Sequence, residues 1–221
     1  MSERTSRVKL DFLRERTMDE TLRLFIAIDL PPEVKQVLRQ LQTQLRRHTN
    51  AVRWADPEGT HLTLKFLGAV PALDVSRITD GLRRAALQNS NFTLQTAALG
   101  MFPNDKRPRV VWLGMDGDVR SLHRLQAAVE QWIAPLGYPT EQRPFSPHLT
   151  LGRTIKDPSL EQLRSISHAV AQTAVPVAVT FSVSDVTLMR SELRREGARY
   201  TAVERIALDG QDEIGIMPRL M

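Results

Sequence analysis

The chain has 221 residues, 42% of them hydrophobic, which is typical of one compact domain or of two closely packed lobes. Its 30 basic and 25 acidic residues give a net charge of +5, and this modest excess favours an anionic partner such as nucleic acid or phosphate. The absence of cysteine excludes disulfides, thiolate zinc sites and cysteine nucleophiles, and it predicts a cytoplasmic protein. No apolar stretch approaches the roughly 18 residues that cross a bilayer, so no membrane partner is expected.

The N-terminal residues 1–21 are charged and lack the apolar segment of a signal peptide. We expect them to form a flexible extension, with Met18 as an alternative start, and residues 22–221 to form a single domain. Apolar patterns and the placement of Pro and Gly predict its elements. In chain order these are a strand at 23–28, a helix at 32–48, a strand at 61–67, a helix at 73–87, strands at 92–99 and 110–113, a helix at 118–136, a strand from 148, a helix at 158–174, and strands at 179–189 and 200–208.

One tetrapeptide, His-Leu-Thr-Leu, occurs twice, at residues 61–64 and again at 148–151. The two copies are 148 − 61 = 87 residues apart and contain two of the five histidines. Sliding the chain by this offset also aligns Phe25 with Trp112, Asp29 with Asp116, and Leu38 with Leu125. Such self-similarity predicts a duplicated lobe built as strand, helix, strand, helix, strand, with a first lobe of about 22–105 and a second of about 106–221.

The motif places one imidazole beside one hydroxyl. Side chains alternate between the faces of a strand, so His61 and Thr63 share one face while the leucines point into the core. The same holds for His148 and Thr150. If the two lobes face each other, both pairs lie in one cleft.

Two imidazoles and two hydroxyls suit acid–base catalysis on a phosphodiester. Unperturbed histidine titrates near about pH 6.5, so one neutral imidazole can act as base while a protonated one acts as acid. Hydrolysis of a cyclic phosphodiester needs both, since one group deprotonates the attacking water and the other protonates the leaving oxygen. The hydroxyls of Thr63 and Thr150 can donate to the non-bridging phosphate oxygens.

Other interpretations of the motifs are weaker. A single His-x-Thr strand is usually structural, but two copies at matching positions are hard to explain by packing alone. A metal site is disfavoured because the sequence has no His-x-His or His-x-x-x-His pair and no carboxylate at ligand spacing. A threonine nucleophile is disfavoured because no third group orients the imidazole. We expect His48, His123 and His168 to be surface or helix-end residues.

Residues beside the motifs offer further candidates. Lys65 lies four residues after His61, so a regular strand places its ammonium on the same face, where it could neutralise phosphate; a solvated lysine is an equal alternative. Arg153 should point away from the face of the second histidine if that strand is regular. Trp54 and Phe145 could stack on a base, although packing in the core is favoured.

These motifs and their surroundings resemble the 2H phosphoesterase superfamily. Within it, the chain is most similar to the bacterial and archaeal RNA 2′,3′-cyclic phosphodiesterases, which are also called 2′-5′ RNA ligases. The resemblance spans about residues 22–208. The segments that carry it are 25–28, 53–54, 60–68, 102–104, 107–109, 147–153 and 192–200.

The resemblance implies an α+β fold of two lobes, in which two antiparallel sheets curve around a central cleft. It also implies hydrolysis of a terminal 2′,3′-cyclic phosphate on RNA to a 2′-phosphate, without metal or cofactor. In this scheme His61 is the proton donor to the departing 3′ oxygen and His148 is the proton acceptor that activates water. The partners implied are RNA ends, with tRNA fragments among the candidates, and a monomer is expected.

Three alternatives for the function stay open at this point. The same chemistry with a 5′ hydroxyl in place of water gives reversible 2′-5′ ligation. The substrate could instead be a small cyclic nucleotide or an ADP-ribose cyclic phosphate. A non-catalytic RNA-binding module belongs to another class, and loss of either motif histidine would favour it; both histidines are present.

Overall fold

The computed structural model describes residues 20–175, 178–194 and 197–210. Residues 1–19 of the predicted N-terminal extension lie outside these ranges. The described elements follow the predicted order of strands and helices, with one additional strand and one predicted strand divided in two. They are β1 (Thr21–Ile28), α1 (Pro32–Leu45), β2 (Val52–Trp54), β3 (Leu62–Pro71), α2 (Val75–Ala86), β4 (Phe92–Phe102), β5 (Val110–Gly117), α3 (Val119–Ile133), β6 (His148–Thr154), α4 (Leu160–Gln172), β7 (Thr180–Val183), β8 (Asp185–Arg194) and β9 (Gly197–Ala207).

Local sequence signals determine where several helices begin and end. The carboxylate of Asp118 accepts a hydrogen bond from the Ser121 amide at the start of α3, as its position predicts. Ser159 and Gln162 form a reciprocal capping box at the start of α4. A short 3₁₀ turn follows α3, and Gly137 then ends the helical segment with a positive φ of 102° that glycine adopts at low cost.

The strands form two antiparallel sheets. Their orders are β3-β1-β8-β9 and β2-β6-β5-β4-β7. Each half of the chain therefore contributes strands to both sheets: β4 joins the sheet of β5 and β6, and β8 and β9 join the sheet of β1 and β3. The α+β fold with two antiparallel sheets is confirmed, but the predicted lobe boundary near residue 105 does not coincide with the division between the sheets.

Two described elements differ from the predicted ones, and pairing within the second sheet explains both differences. The predicted strand 179–189 is divided at Ser184, because β7 pairs with β4 in the second sheet whereas β8 pairs with β1 in the first. The three-residue strand β2 is absent from the predictions, since it is too short to show a pattern and is ordered by pairing with β6.

The core lies between the sheets and the helices. Along β1, Leu24 and Ile26 are buried in a cluster that both sheets and all four described helices share. Phe25 and Ala27 point to the opposite face, where they form a small separate cluster with Met189. This second face of the sheets carries the histidines and threonines of the two motifs. None of the described helices is long and apolar enough to cross a membrane.

Candidate active site

The structure brings the two motif strands together. β3 is the edge strand of the first sheet, β6 is the second strand of the other sheet, and Cα atoms of the two come within 8 Å of each other where the sheets meet. His61 lies immediately before β3 and His148 begins β6, so equivalent ends of the two strands carry the histidines.

Both motif strands contain a β-bulge at the second leucine of the motif. The register of β3 with β1 skips Leu64, which follows Thr63, and the register of β6 with β5 skips Leu151, which follows Thr150. Both leucines are buried in the core. A bulge adds one residue to one strand and therefore reverses the face of every side chain beyond it.

This reversal corrects the prediction for Lys65, which does not share the face of His61. Its partner in β1 is Ile26, a core residue, and the Lys65 side chain is buried against α3. The ammonium donates to the Glu130 carboxylate and, at 2.9 Å, to the carbonyl oxygen of Pro139. The prediction of a phosphate-binding Lys65 was wrong, because the strand is not regular between the two residues. The lysine instead joins the first motif strand to the second half of the chain.

The second bulge has the opposite consequence for Arg153. Arg153 lies opposite Val110 in β5, and Val110 shares a face with Trp112, whose ring lies 6.4 Å from that of His148. The exposed Arg153 side chain therefore lies on the same face as the second motif, not away from it.

The two histidines are held in the same way. Nδ1 of His61 lies 2.9 Å from the carbonyl oxygen of Gly59, and Nδ1 of His148 lies 2.7 Å from that of Ser146. A carbonyl only accepts, so Nδ1 carries the proton in both rings and donates it. Each Nε2 is consequently free to take up or release a proton.

His61 is enclosed by aromatic rings. Phe25 stacks on its imidazole with ring centroids 4.4 Å apart, and Tyr200 contacts it edge-on at 4.9 Å. This burial lowers the pKa of His61 below its ordinary value, and the hydrogen bond to Gly59 and the charge of Asp29 oppose the shift in part. The neutral imidazole is therefore favoured in the free protein.

His148 has an equivalent aromatic setting. The ring of Phe102 contacts it edge-on at a centroid distance of 5.0 Å, and Trp112, the residue that aligns with Phe25, lies beyond. Gly100 makes room for the indole, because a Cβ at this position would lie 2.2 Å from the Trp112 ring. Aromatic side chains from other strands of the same sheet thus contact both imidazoles.

The two threonines complete the symmetric arrangement. Thr63 lies opposite Ala27 and Thr150 lies opposite Trp112, both on the face of the motifs. Each side chain is half-buried. Neither hydroxyl makes a hydrogen bond to another described residue, so both are available as donors to a ligand.

The loop before His61 is clamped by α1, a feature that the sequence patterns did not reveal. Lys35 and Arg39 of α1 both form ion pairs with Glu58. The Asp56 carboxylate accepts a hydrogen bond from the Glu58 amide at 3.0 Å. These contacts hold the turn that presents the Gly59 carbonyl to the imidazole. Gly59 and Ser146, whose carbonyl oxygens contact the two histidines, are aligned by the 87-residue offset. The repeat in the sequence could therefore have predicted that both histidines make the same contact.

The remaining candidates lie where the sequence analysis favours them. Trp54 and Phe145 are partly buried against the core, which agrees with the favoured prediction for both. His48, His123 and His168 are exposed, as expected. The described residues contain no group of three or more His, Cys, Asp or Glu side chains that could hold a metal ion.

Sequence comparison finds the same duplication. The family described as LigT-like phosphoesterase matches the chain twice, at residues 28–112 and 113–200. The RNA 2′,3′-cyclic phosphodiesterase of Methanothermobacter thermautotrophicus is 31% identical over 183 residues, which cover 83% of this chain and 97% of that protein. The protein of the same name from Escherichia coli is 34% identical over 192 residues, which cover 86% and 99%.

Structural comparison agrees with these matches. The crystal structure of E. coli LigT complexed with 3′-AMP superposes with a TM-score of 0.68 at 31% identity, covering 86% of this chain and 99% of that one. Duplicated motifs, the paired sheets and the similarity over nearly the full length of these relatives lead to one conclusion. The chain belongs to the LigT-like phosphoesterase family, within the 2H phosphoesterases.

Proposed function

We propose that the protein hydrolyses a 2′,3′-cyclic phosphate at the end of an RNA to a 2′-phosphate, by metal-independent acid–base catalysis. The observation that carries this proposal is the matched pair of Nδ1–carbonyl hydrogen bonds, at His61 and His148, on two motif strands that meet. The same contact in both copies leaves two Nε2 atoms for proton transfer. The names of the relatives supply the substrate class.

In the proposed reaction, His148 and His61 act at opposite ends of one displacement. Nε2 of His148 takes a proton from water, the water oxygen bonds to phosphorus, and the bond from phosphorus to the 3′ oxygen breaks. Nε2–H of His61 gives its proton to that 3′ oxygen. The phosphoryl group stays on the 2′ oxygen, and solvent exchange then restores both imidazoles. A 5′ hydroxyl in place of water would give 2′-5′ ligation by the same steps.

The roles of the surrounding groups follow from their positions. The free hydroxyls of Thr63 and Thr150 would donate to the non-bridging oxygens and stabilise the charge that develops on them. Burial lowers the pKa of His61, whereas a bound phosphate anion favours the protonated imidazole. Substrate binding would therefore help to supply the acid that the reaction needs.

The test is hydrolysis of a short RNA that ends in a 2′,3′-cyclic phosphate, with EDTA present throughout. We expect turnover to persist and phosphorus NMR to identify a 2′-phosphate. Resistance of the product to an enzyme that removes only 3′-phosphates gives an independent check. A 3′-phosphate product would show that the 2′ oxygen leaves and that the substrate binds in the reverse orientation, and the assignment of donor and acceptor would then have to be re-examined. A strict need for added divalent metal would contradict the two-histidine mechanism.

A further inference from the structure

Two arginines lie directly opposite each other beside the motif. In the pairing of β2 with β6, Arg53 is the partner of Arg153. Partners in an antiparallel pair have side chains on the same face, and Arg153 lies on the face of His148, as described above. Arg53, which the sequence analysis included only in a segment of the family resemblance, therefore belongs to the same face.

Both arginines are exposed, and neither forms an ion pair or a side-chain hydrogen bond with any residue in the described ranges. Like charges directly opposite on neighbouring strands destabilise a sheet. An anion between two guanidinium groups removes this repulsion, and the forked geometry of guanidinium suits the oxygens of a phosphodiester. The pair thus has the chemistry of a phosphate site without an internal counterion.

A third exposed cation lies at the same end of the sheet. The Arg109 carbonyl accepts a hydrogen bond from the amide of Thr154, the residue after Arg153, at 3.0 Å. The Thr154 hydroxyl also donates to the carbonyl oxygen of Pro108. These bonds attach the loop that ends at Arg109 to the end of β6.

The arginine pair lies beyond the site of the reacting phosphate. Arg153 is three residues after Thr150, and the bulge takes up one of them, so their Cα atoms are separated by roughly 7–10 Å along the strand. If the terminal phosphate lies at the two threonines, an RNA chain that continues along β6 carries its next phosphodiester toward the arginines. A cyclic mononucleotide has no such group.

We propose that Arg53, together with Arg153, binds the phosphodiester that precedes the terminal nucleotide, and that the protein thereby distinguishes RNA chains from cyclic mononucleotides. This inference rests on the proposed function, since it assumes that the terminal phosphate binds at the two motifs. Arg53 makes no contact with the reacting atoms in this arrangement, so it affects binding of the chain and not the chemical step.

The experiment compares wild type and Arg53→Gln on a trinucleotide ending in 2′,3′-cyclic phosphate and on 2′,3′-cyclic AMP. We expect the variant to raise KM for the trinucleotide about tenfold with little change in kcat, and to leave both constants for cyclic AMP within about twofold. The slope of log KM for the trinucleotide against log salt should fall by about 0.7, the amount associated with one phosphate contact on a single strand.

Two further variants serve as controls. Arg53→Lys keeps the charge but not the forked donors, so it should retain the salt slope while raising KM only in part. Arg47→Gln removes an exposed arginine just after α1, on neither sheet, and should behave as wild type on both substrates.

Direct binding separates failure of this inference from failure of the proposed function. The dissociation constant of a trinucleotide that ends in a 2′-phosphate is measured for wild type and Arg53→Gln. Weaker binding by the variant supports the arginine site, whether or not the cyclic phosphates are hydrolysed. Failure to hydrolyse either cyclic phosphate would count against the proposed function alone. Equal binding, or equal effects of the variant on trinucleotide and mononucleotide, would overturn the assignment of Arg53.

Discussion

The ring of Phe25 lies stacked on the imidazole of His61, with the ring planes 29° apart. Burial is the largest cause of the lowered pKa of His61, and Phe25 covers one face of the ring. A proton donor must be protonated to act, so activity is lost as pH rises through its pKa. The proton acceptor must be neutral to act, so activity also falls at low pH, and the two limbs of the kcat/KM profile report the lower and the higher apparent pKa of the histidine pair.

Phe25→Leu should expose His61 and raise its pKa. We expect the limb of the pH profile that depends on His61 to move to higher pH, with a parallel shift in the NMR titration of the His61 imidazole. The bell-shaped profile has the same form whether His61 is the donor or the acceptor, because each limb reports an apparent pKa of the pair and not a role. A limb that moves together with the NMR titration shows that His61 takes part in the reaction, whereas an unchanged pH profile would contradict this.

Removal of either imidazole should stop the reaction. His61→Ala and His148→Ala should each reduce kcat by at least about a thousandfold, since acid and base act in one displacement and neither replaces the other. Circular dichroism and thermal melting should show an intact fold. His168→Ala, which removes an exposed histidine of α4, is the matched control and should keep wild-type turnover. Near-native activity in either motif variant would contradict the mechanism.

Loss of a threonine hydroxyl should have a smaller effect. Thr63→Val or Thr150→Val removes one donor to the phosphate, of a kind worth on the order of 1–3 kcal/mol, so turnover should fall roughly ten- to a hundredfold. Thr63→Ser and Thr150→Ser keep the hydroxyl and should remain within a few-fold of wild type. If the valine and serine variants had equal activity at both positions, the hydroxyls would have no part in phosphate binding.

The buried contact between Lys65 and Glu130 should contribute to stability and not to phosphate binding. Lys65→Met leaves the Glu130 carboxylate buried without its cation, which costs about 3–5 kcal/mol in the free energy of unfolding. The double variant Lys65→Met, Glu130→Leu removes both charges and should recover most of this loss. Urea unfolding measures both values. A stable single variant with weakened substrate binding would restore Lys65 to the phosphate site.

The sequence alone was sufficient for features that depend on near neighbours. The repeated motif identified both histidines and both threonines as candidates, and alternation placed each pair on one face. Asp118 and Ser159 marked the starts of two helices, because a capping side chain bonds to amides within three residues of it. The 87-residue offset also predicted that the two halves would be built alike, and this extends to the aromatic neighbours Phe25 and Trp112.

Features that depend on contacts between distant segments required the tertiary structure. The bulges at Leu64 and Leu151 are irregularities of pairing, which no single strand reveals, and they decide that Lys65 is buried while Arg153 lies beside the motif. The exchange of strands between the sheets likewise depends on register and not on local pattern. The ring of His61 is also contacted by Tyr200, which is distant in sequence. Residue types and their spacing thus determine the chemistry available, whereas strand pairing determines which side chains reach the site and in what ionisation state.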